Sequence, residues 1–307
     1  MDEKLLFEML NAPGVSGNEK VIRDIVYKEI KKYVDEIRID KMGNLIARKK
    51  GIKPRVMLAA HLDEIGLIIK RITKEGHIYI SPLGGIEPLN LLAQRVQVET
   101  KPKKNKIFGI VTTKDLQESI EIEDLPAMDD LYVDTGLNKK ELEKLGVRVG
   151  SYAVPIQTAM HLGSKNIISG KALDDRLGCY ILVELIKRLK NTKNDIYFVF
   201  TVQEEVGLYG AKTSAFQIEP DWGIAVDVTC ARNNDKDSAN IIGKGPCVTV
   251  KDADMVANRC INDWLNEIAI KKKIKLQWEV SDAGTTDAMR ISVSRGGVPS
   301  TVVGPAI

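Results

Sequence analysis

A chain of 307 residues exceeds the usual span of one domain and can bury a large core, so a main domain carrying a smaller insert is expected. With 45 basic residues against 42 acidic ones and a net charge of +3, it lacks the basic excess of a nucleic-acid or membrane-surface protein; the runs Lys101–Lys106 and Lys271–Lys275 read as solvated surface. No apolar run reaches the length of a membrane span, the acidic amphipathic start M-D-E-K-L-L-F-E-M-L is not built like a signal peptide, and Cys179, Cys230, Cys247 and Cys260, without a C-x-x-C, read as reduced thiols of a cytoplasmic protein.

In chain order, Asp2 to Asn11 forms a short helix broken by Ala12-Pro13-Gly14. Ser16-Gly17-Asn18-Glu19 opens a second helix to about Val34, with Val21, Ile22, Ile25, Val26 and Ile30 on one face. Ile37–Asp40 and Asn44–Lys49 read as a hairpin across a Lys-Met-Gly-Asn turn. Arg55–Ala60 is an apolar strand ending in His61-Leu62-Asp63-Glu64. Residues two apart in a strand share a face, and a metal-binding imidazole usually has its other nitrogen held by a carboxylate. His61 and Asp63 therefore read as a ligand with its orienter, or as a hydrogen-bonded histidine at a strand end.

From Leu67 to Gly170 the pattern changes to glycine-rich, short alternating runs. Leu67–Ile72, His77–Ile80, Ala93–Glu99, Lys106–Thr112, Leu131–Val133 and Tyr152–Pro155 read as short strands, with one helix at Asn138–Leu145. Such spacing indicates a small β-barrel or sandwich. Residues 67–170 are thus an inserted β domain, and residues 1–66 with 171–307 form an α/β domain. His77 and His161 lie in the insert and read as structural.

The α/β pattern resumes with Ala172-Leu173-Asp174-Asp175-Arg176, opening a helix over Leu177–Leu189. One aspartate is explained as a cap; the other is free for another role. Ile196–Val202 is a strand buried on both faces, ending in Glu204 and Glu205 before a helix over Gly207–Ala215. Adjacent side chains at a strand end diverge, so the two acids have different roles: one could bind a metal while the other acts as general base. Trp222–Val226 is a further strand, ending in Asp227. A helix over Asp254–Lys271, a strand at Leu276–Val280, a helix from Gly284-Thr285-Thr286-Asp287 to about Ser294 and a strand at Val298–Val303 complete the chain.

His61/Asp63, Glu204/Glu205 and Asp227 thus follow separate strands at their carboxyl ends, where open α/β sheets bind ligands. Asp174 opens a helix nearby. One imidazole with several carboxylates resembles a two-metal hydrolytic site and suits zinc, cobalt or manganese. A phosphate-binding loop, a dinucleotide fingerprint and a nucleophile elbow are all missing from the sequence.

The segments A-A-H-L-D-E-I-G (59–66), L-L-A-Q-R-V (91–96), G-K-A-L-D-D-R-L-G-C (170–179), F-T-V-Q-E-E-V-G-L-Y-G-A (200–211), A-V-D-V-T (225–229), G-K-G-P (243–246) and G-T-T-D-A (284–288) resemble the tetrahedral (TET) aminopeptidase family, in order and over nearly the whole chain. The resemblance implies a phosphorylase/hydrolase-like α/β fold with a mixed central sheet flanked by helices. It implies one metal on His61, Asp174 and Asp227, and a second on the bridging Asp174 with Glu205. Glu204 would be the general base and Asp63 the orienter of His61. It also implies peptide substrates and an inserted domain that mediates dimerisation within a tetrahedral dodecamer. The family's remaining ligand is a histidine just past the last strand, where this sequence has none; the chain is expected to be a truncated form, with the second site incomplete as it stands.

The expected activity is release of amino-terminal residues by a metal-activated water with Glu204 as base. The alternatives are an endoglucanase-like glycoside hydrolase, which gives His61 and Asp63 no role, and a non-catalytic assembly protein with an incomplete metal site.

Overall fold

The structure, a computed structural model, describes residues 2–101, 106–117, 125–231 and 240–307. Two compact units result: Met1–Ala12, Glu19–Asp63 and Ala172–Ile307 form one, and Pro13–Asn18 with Glu64–Lys171 the other. The short Pro13–Asn18 segment falls with the insert for physical reasons. The Gly14 N–H donates to the Glu64 carboxylate at 2.9 Å, Val15 forms a β-bridge with Glu64, and a Cβ on Gly66 would stand 2.0 Å from Val15 Cγ1.

The first unit is built on an eight-stranded mixed sheet in the order Glu36–Ile39, Leu45–Lys49, Asn194–Thr201, Ile52–His61, Trp222–Val226, Ser300–Gly304, Cys247–Lys251, Gln277–Val280. The first two strands are the expected hairpin, antiparallel to each other. Asn194–Thr201, Ile52–His61, Trp222–Val226 and Ser300–Gly304 run parallel as neighbours. Their β-branched and aromatic side chains suit a sheet covered on both faces; Phe198, Val199, Phe200 and Met57 are fully buried. Register makes the strand ends meet. His61 pairs with Thr201 and Ala59 with Ala225, so His61 and Asp227 leave their strands at one level. Helix Leu173–Arg188 buries Cys179, Leu182, Val183 and Ile186. The strand Cys247–Lys251 has no counterpart among the predicted elements: it runs antiparallel to Ser300–Gly304 and parallel to Gln277–Val280.

The second unit is a closed six-stranded antiparallel barrel of Gly66–Ile72, Ile78–Leu83, Tyr132–Asp134, Ile107–Thr112, Arg95–Val98 and Tyr152–Pro155. Each corresponds to one of the short predicted strands. Its interior is filled by Leu67, Ile69, Ile78, Val96, Val111 and Val133 among others. The period-two alternation in Ile107–Thr112 turns Phe108 and Ile110 outward, each 52% exposed. His77 stacks on Tyr132 at 4.4 Å, and His161 pairs with Ile168 in a separate two-stranded ladder. The Lys271–Lys275 run is exposed; residues 102–105, inside the other basic run, lie outside the described residues.

Candidate metal centre

His61, Asp174, Glu204, Glu205 and Asp227 line one cleft of about 550 Å³ at the carboxyl ends of the parallel strands. Each arrives by a local device. His61 is the last residue of its strand and Asp227 follows the last residue of Trp222–Val226. Beyond Thr201 the backbone turns through Gln203, in the left-handed region at φ 55°, and its N–H donates to Glu19 Oε1 at 3.2 Å. That turn directs both Glu204 and Glu205 into the cleft. Gly207, at φ 143°, closes it where a Cβ would press on the Tyr209 ring at 2.8 Å.

The adjacent aspartates divide their work. Asp174 and Asp175 have non-helical backbone although they fall inside the span Leu173–Arg188. Asp175 is fully buried and holds the framework: Oδ1 accepts the Gly178 N–H at 3.0 Å and Oδ2 the His61 N–H at 3.2 Å. Asp174, with its side chain 57% exposed, places Oδ1 2.9 Å from His61 Nε2. Next door, Arg176 is fully buried and donates to the carbonyls of Leu62, Met9 and Ala12 at 2.6, 2.8 and 3.1 Å. It ties the loop after His61 to the end of the first helix.

Asp63 works differently from a simple orienting carboxylate. His61 Nδ1 lies 3.0 Å from the Asp63 carbonyl oxygen, while the Asp63 carboxylate is 3.7 Å away. The Nδ1–H therefore donates to the backbone, which turns Nε2 toward the cleft, where Asp174 Oδ1 lies 2.9 Å away. The fully buried Asp63 carboxylate instead accepts the Glu204 N–H at 3.0 Å and the Glu205 N–H at 3.2 Å. It thereby pins the backbone that carries both acids.

The electrostatics call for a cation. Burial pushes Glu204 up to about 10 despite the pull of His61, and Asp287, Asp227 and Glu205 add to the rise. Asp227 goes up to about 8 for the same reason, with Asp174 and Asp287 contributing. Asp175 is raised well above the carboxylate range by burial and by Asp227. Burial opposes charge on His61, yet Glu204, Asp174 and Asp227 outweigh it and raise its pKa well above the usual value. Without compensating positive charge, so many carboxylates cannot all ionise here.

Donor geometry fits a divalent ion. Ligand atoms of His61, Asp174 and Glu205 lie within 4.8 Å of one another, as do those of His61, Asp175 and Asp227. Both groups draw on His61, and Asp227 falls with Asp175 rather than with Asp174. Glu204 belongs to neither group, although its Oε2 is 3.9 Å from His61 Nε2. One imidazole with carboxylate oxygens is a donor set for a hard or borderline divalent metal.

Two buried acids had no sequence signal of their own. Asp175 is indistinguishable from Asp174 in the run D-D-R. Asp287, 2% exposed, accepts the Thr201 hydroxyl at 2.5 Å, and its Oδ1 has no hydrogen-bond partner among the described residues. Burial pushes it up to about 6. In the sequence it reads as the start of a helix and falls in the segment G-T-T-D-A, without a role in the site.

The family described as M42 glutamyl aminopeptidase matches residues 43–307. A putative aminopeptidase from Acetivibrio thermocellus is 40% identical over 309 residues, covering 99% of this chain and 91% of that protein. A lysyl aminopeptidase from Pyrococcus furiosus is 37% identical, over 99% of this chain and 88% of that one. Among solved structures, the Pyrococcus horikoshii TET1 peptidase, which can assemble into a tetrahedron or a large octahedral shell, is similar. It superposes with a TM-score of 0.87 at 31% identity, covering 98% of this chain and 90% of that chain.

Proposed function

Because the chain belongs to the M42 glutamyl aminopeptidase family, we propose that its cleft releases amino-terminal residues from peptides by metal-assisted hydrolysis, with Glu204 as general base. One observation carries this reading: the cleft gathers His61, Asp174, Glu205 and Asp227 as potential ligands, while Glu204, its side chain 10% exposed, stands beside them outside both ligand groups. One or two divalent cations there, zinc or cobalt before manganese, would polarise the scissile carbonyl, acidify a water and offset the negative charge around Glu204.

The chain's own groups do the rest. His61 offers Nε2 because its Nδ1–H is committed to the Asp63 carbonyl. Asp174, at the cleft surface, is the carboxylate suited to bridging, and Asp175 holds the His61 backbone from beneath. Glu204 takes the proton from the attacking water as its oxygen bonds to the carbonyl carbon, and delivers it to the amine nitrogen as the C–N bond breaks. A glycosidase reading leaves His61 and its brace without a task.

The outward Phe108 and Ile110, beside a hollow lined by Arg95 and Asp134, support self-association through the barrel, as a dimer and then a dodecamer. The peptides' route in would then be a feature of that assembly. Four free thiols fit the reducing cytoplasm, and among the described residues no helix is long and apolar enough to cross a membrane.

The test is hydrolysis of aminoacyl against glycosyl chromogenic substrates by chelator-treated protein, before and after addition of zinc or cobalt. Metal-restored cleavage of the aminoacyl set alone is expected; glycoside cleavage, or activity indifferent to chelator, would refute the reading.

A further inference from the structure

Beyond the potential ligands, the same cleft is lined by Glu279, Thr229, Asn240 and Thr249. Glu279 sits in the strand Gln277–Val280, with Thr249 its register partner on Cys247–Lys251. Its carboxylate is held in place by three neutral donors. Oε1 accepts the Asn240 amide at 3.0 Å and the Thr229 hydroxyl, and Oε2 accepts the Thr249 hydroxyl at 2.9 Å. Among the described residues it forms no ion pair. The carboxylate is therefore fixed in orientation with no cationic partner among the described residues, and the donors leave acceptor capacity for one more partner.

The other acids of the cleft are accounted for. Asp174, Glu205 and Asp227 would be neutralised by divalent cations. Asp252 is committed to a turn, with Oδ1 accepting the N–H groups of Asp254 at 2.9 Å and Met255 at 2.7 Å. Apart from Glu204, the proposed base, Glu279 is the remaining carboxylate lining the cleft that has, among the described residues, neither a proposed metal nor a backbone donor to satisfy it. Its position suits a substrate side chain. Thr229 lies two residues beyond Asp227 and stays in ladder contact with Ala306, so the two are roughly 6–7 Å apart in extended chain. That is the reach of a long side chain from a scissile bond at the metals. Val280 and Ala283 line the same cleft and offer apolar surface to its methylene stem.

We propose that Glu279 selects peptides whose amino-terminal residue carries a cationic side chain, lysine or arginine, by pairing with that ammonium or guanidinium. This rests on the aminopeptidase reading above. A carboxylate pre-oriented by neutral donors loses little freedom on pairing, and a charge-assisted hydrogen bond in a partly desolvated cleft discriminates strongly against substrates that lack the cation.

The test is kcat/KM for the p-nitroanilides of lysine, arginine, norleucine and glutamate, with the zinc- or cobalt-loaded full chain and its Glu279→Gln variant. Lysine and arginine should exceed norleucine by about 10-fold or more, with glutamate poorest. Glu279→Gln should lower the lysine-to-norleucine ratio by roughly 10- to 100-fold. Glu279→Lys should favour glutamate over lysine. A measurement needing no variant is inhibition of norleucine anilide hydrolysis in the wild type, where free L-lysine should be the stronger inhibitor than L-norleucine. If Glu279→Gln weakens all four substrates equally, the carboxylate anchors the α-ammonium or serves packing, and the proposal fails. It fails too if the wild type prefers norleucine. A wild type inert on all four overturns the peptidase reading itself, and this proposal with it.

Discussion

Replacing Asp63 by asparagine isolates the brace beneath the two glutamates. Asp63 is fully buried and accepts the N–H groups of Glu204 and Glu205 through separate oxygens at 3.0 and 3.2 Å. Asparagine has nearly the same shape but one acceptor oxygen, so one of those amides would face an NH2 group, donor against donor. A hydrogen bond to a charged acceptor contributes about 1.5–3 kcal/mol, and a buried donor left unpaired costs about 1–3 kcal/mol. Losing one such bond and weakening the other should destabilise the first unit by about 2–4 kcal/mol. In a unit of this size that corresponds to a fall in Tm of roughly 5–15 °C. Glu204 and Glu205 would also lose their fixed backbone, and disturbance of such supporting groups typically costs about 10–100-fold in activity. The assay is thermal unfolding together with kcat and KM on an aminoacyl anilide at saturating metal; kcat should carry the loss. A variant with wild-type Tm and kcat would refute the reasoning, because the carboxylate would then be dispensable to the backbone it is seen to hold.

Arg176→Met should cost about 3–5 kcal/mol, because the carbonyls of Leu62, Met9 and Ala12 lose their donors; a urea midpoint close to wild type would contradict that role. Asp174→Asn should weaken metal binding with little change in stability, whereas Asp175→Asn should lower Tm, since Asp175 holds the His61 and Gly178 amides; equilibrium dialysis and melting of both variants separate the two, and the reverse pattern would exchange their roles. For the metal-stripped protein, folded-state pKa values are raised for Asp287 to about 6 and Asp227 to about 8. The folded state then holds more protons than the unfolded one, so stability is greatest below about pH 4 for these groups and is lost as pH rises toward 8. Melting in chelator from pH 5 to 8.5 should show that decline, and zinc or cobalt should flatten or reverse it; a chelated protein that gains stability with pH through these groups would oppose the assignment.

Much of this was legible in the sequence because it rests on local pattern. Alternation and turn residues mark the barrel strands, and apolar runs ending in acids mark the sheet strands and the rim of the cleft. What escaped depends on contacts distant in the chain. Cys247–Lys251 is short and begins after a glycine turn, and it becomes a strand only by pairing with Ser300–Gly304 and Gln277–Val280. Pro13–Asn18 goes with the barrel through Glu64 and Gly66, some fifty positions away. H-x-D points to the Asp63 carboxylate as the orienter of His61, but spacing alone does not show that the carbonyl takes the imidazole while the carboxylate takes two amides from a different strand end. Glu279, in the run W-E-V, reads as an ordinary strand residue until Thr229, Asn240 and Thr249 are seen around it.

The central claim is that Glu204 moves the proton while Glu205 holds metal. Elemental analysis and kcat, measured on Glu204→Gln and Glu205→Gln purified alongside the wild type, test it most directly. Glu204→Gln should keep the wild-type metal content and lose activity by about 10²–10⁴-fold, and Glu205→Gln should lose metal and recover part of its activity at high metal concentration. A Glu204→Gln protein that is stripped of metal while Glu205→Gln retains it, or one that turns over at the wild-type rate, would contradict the account.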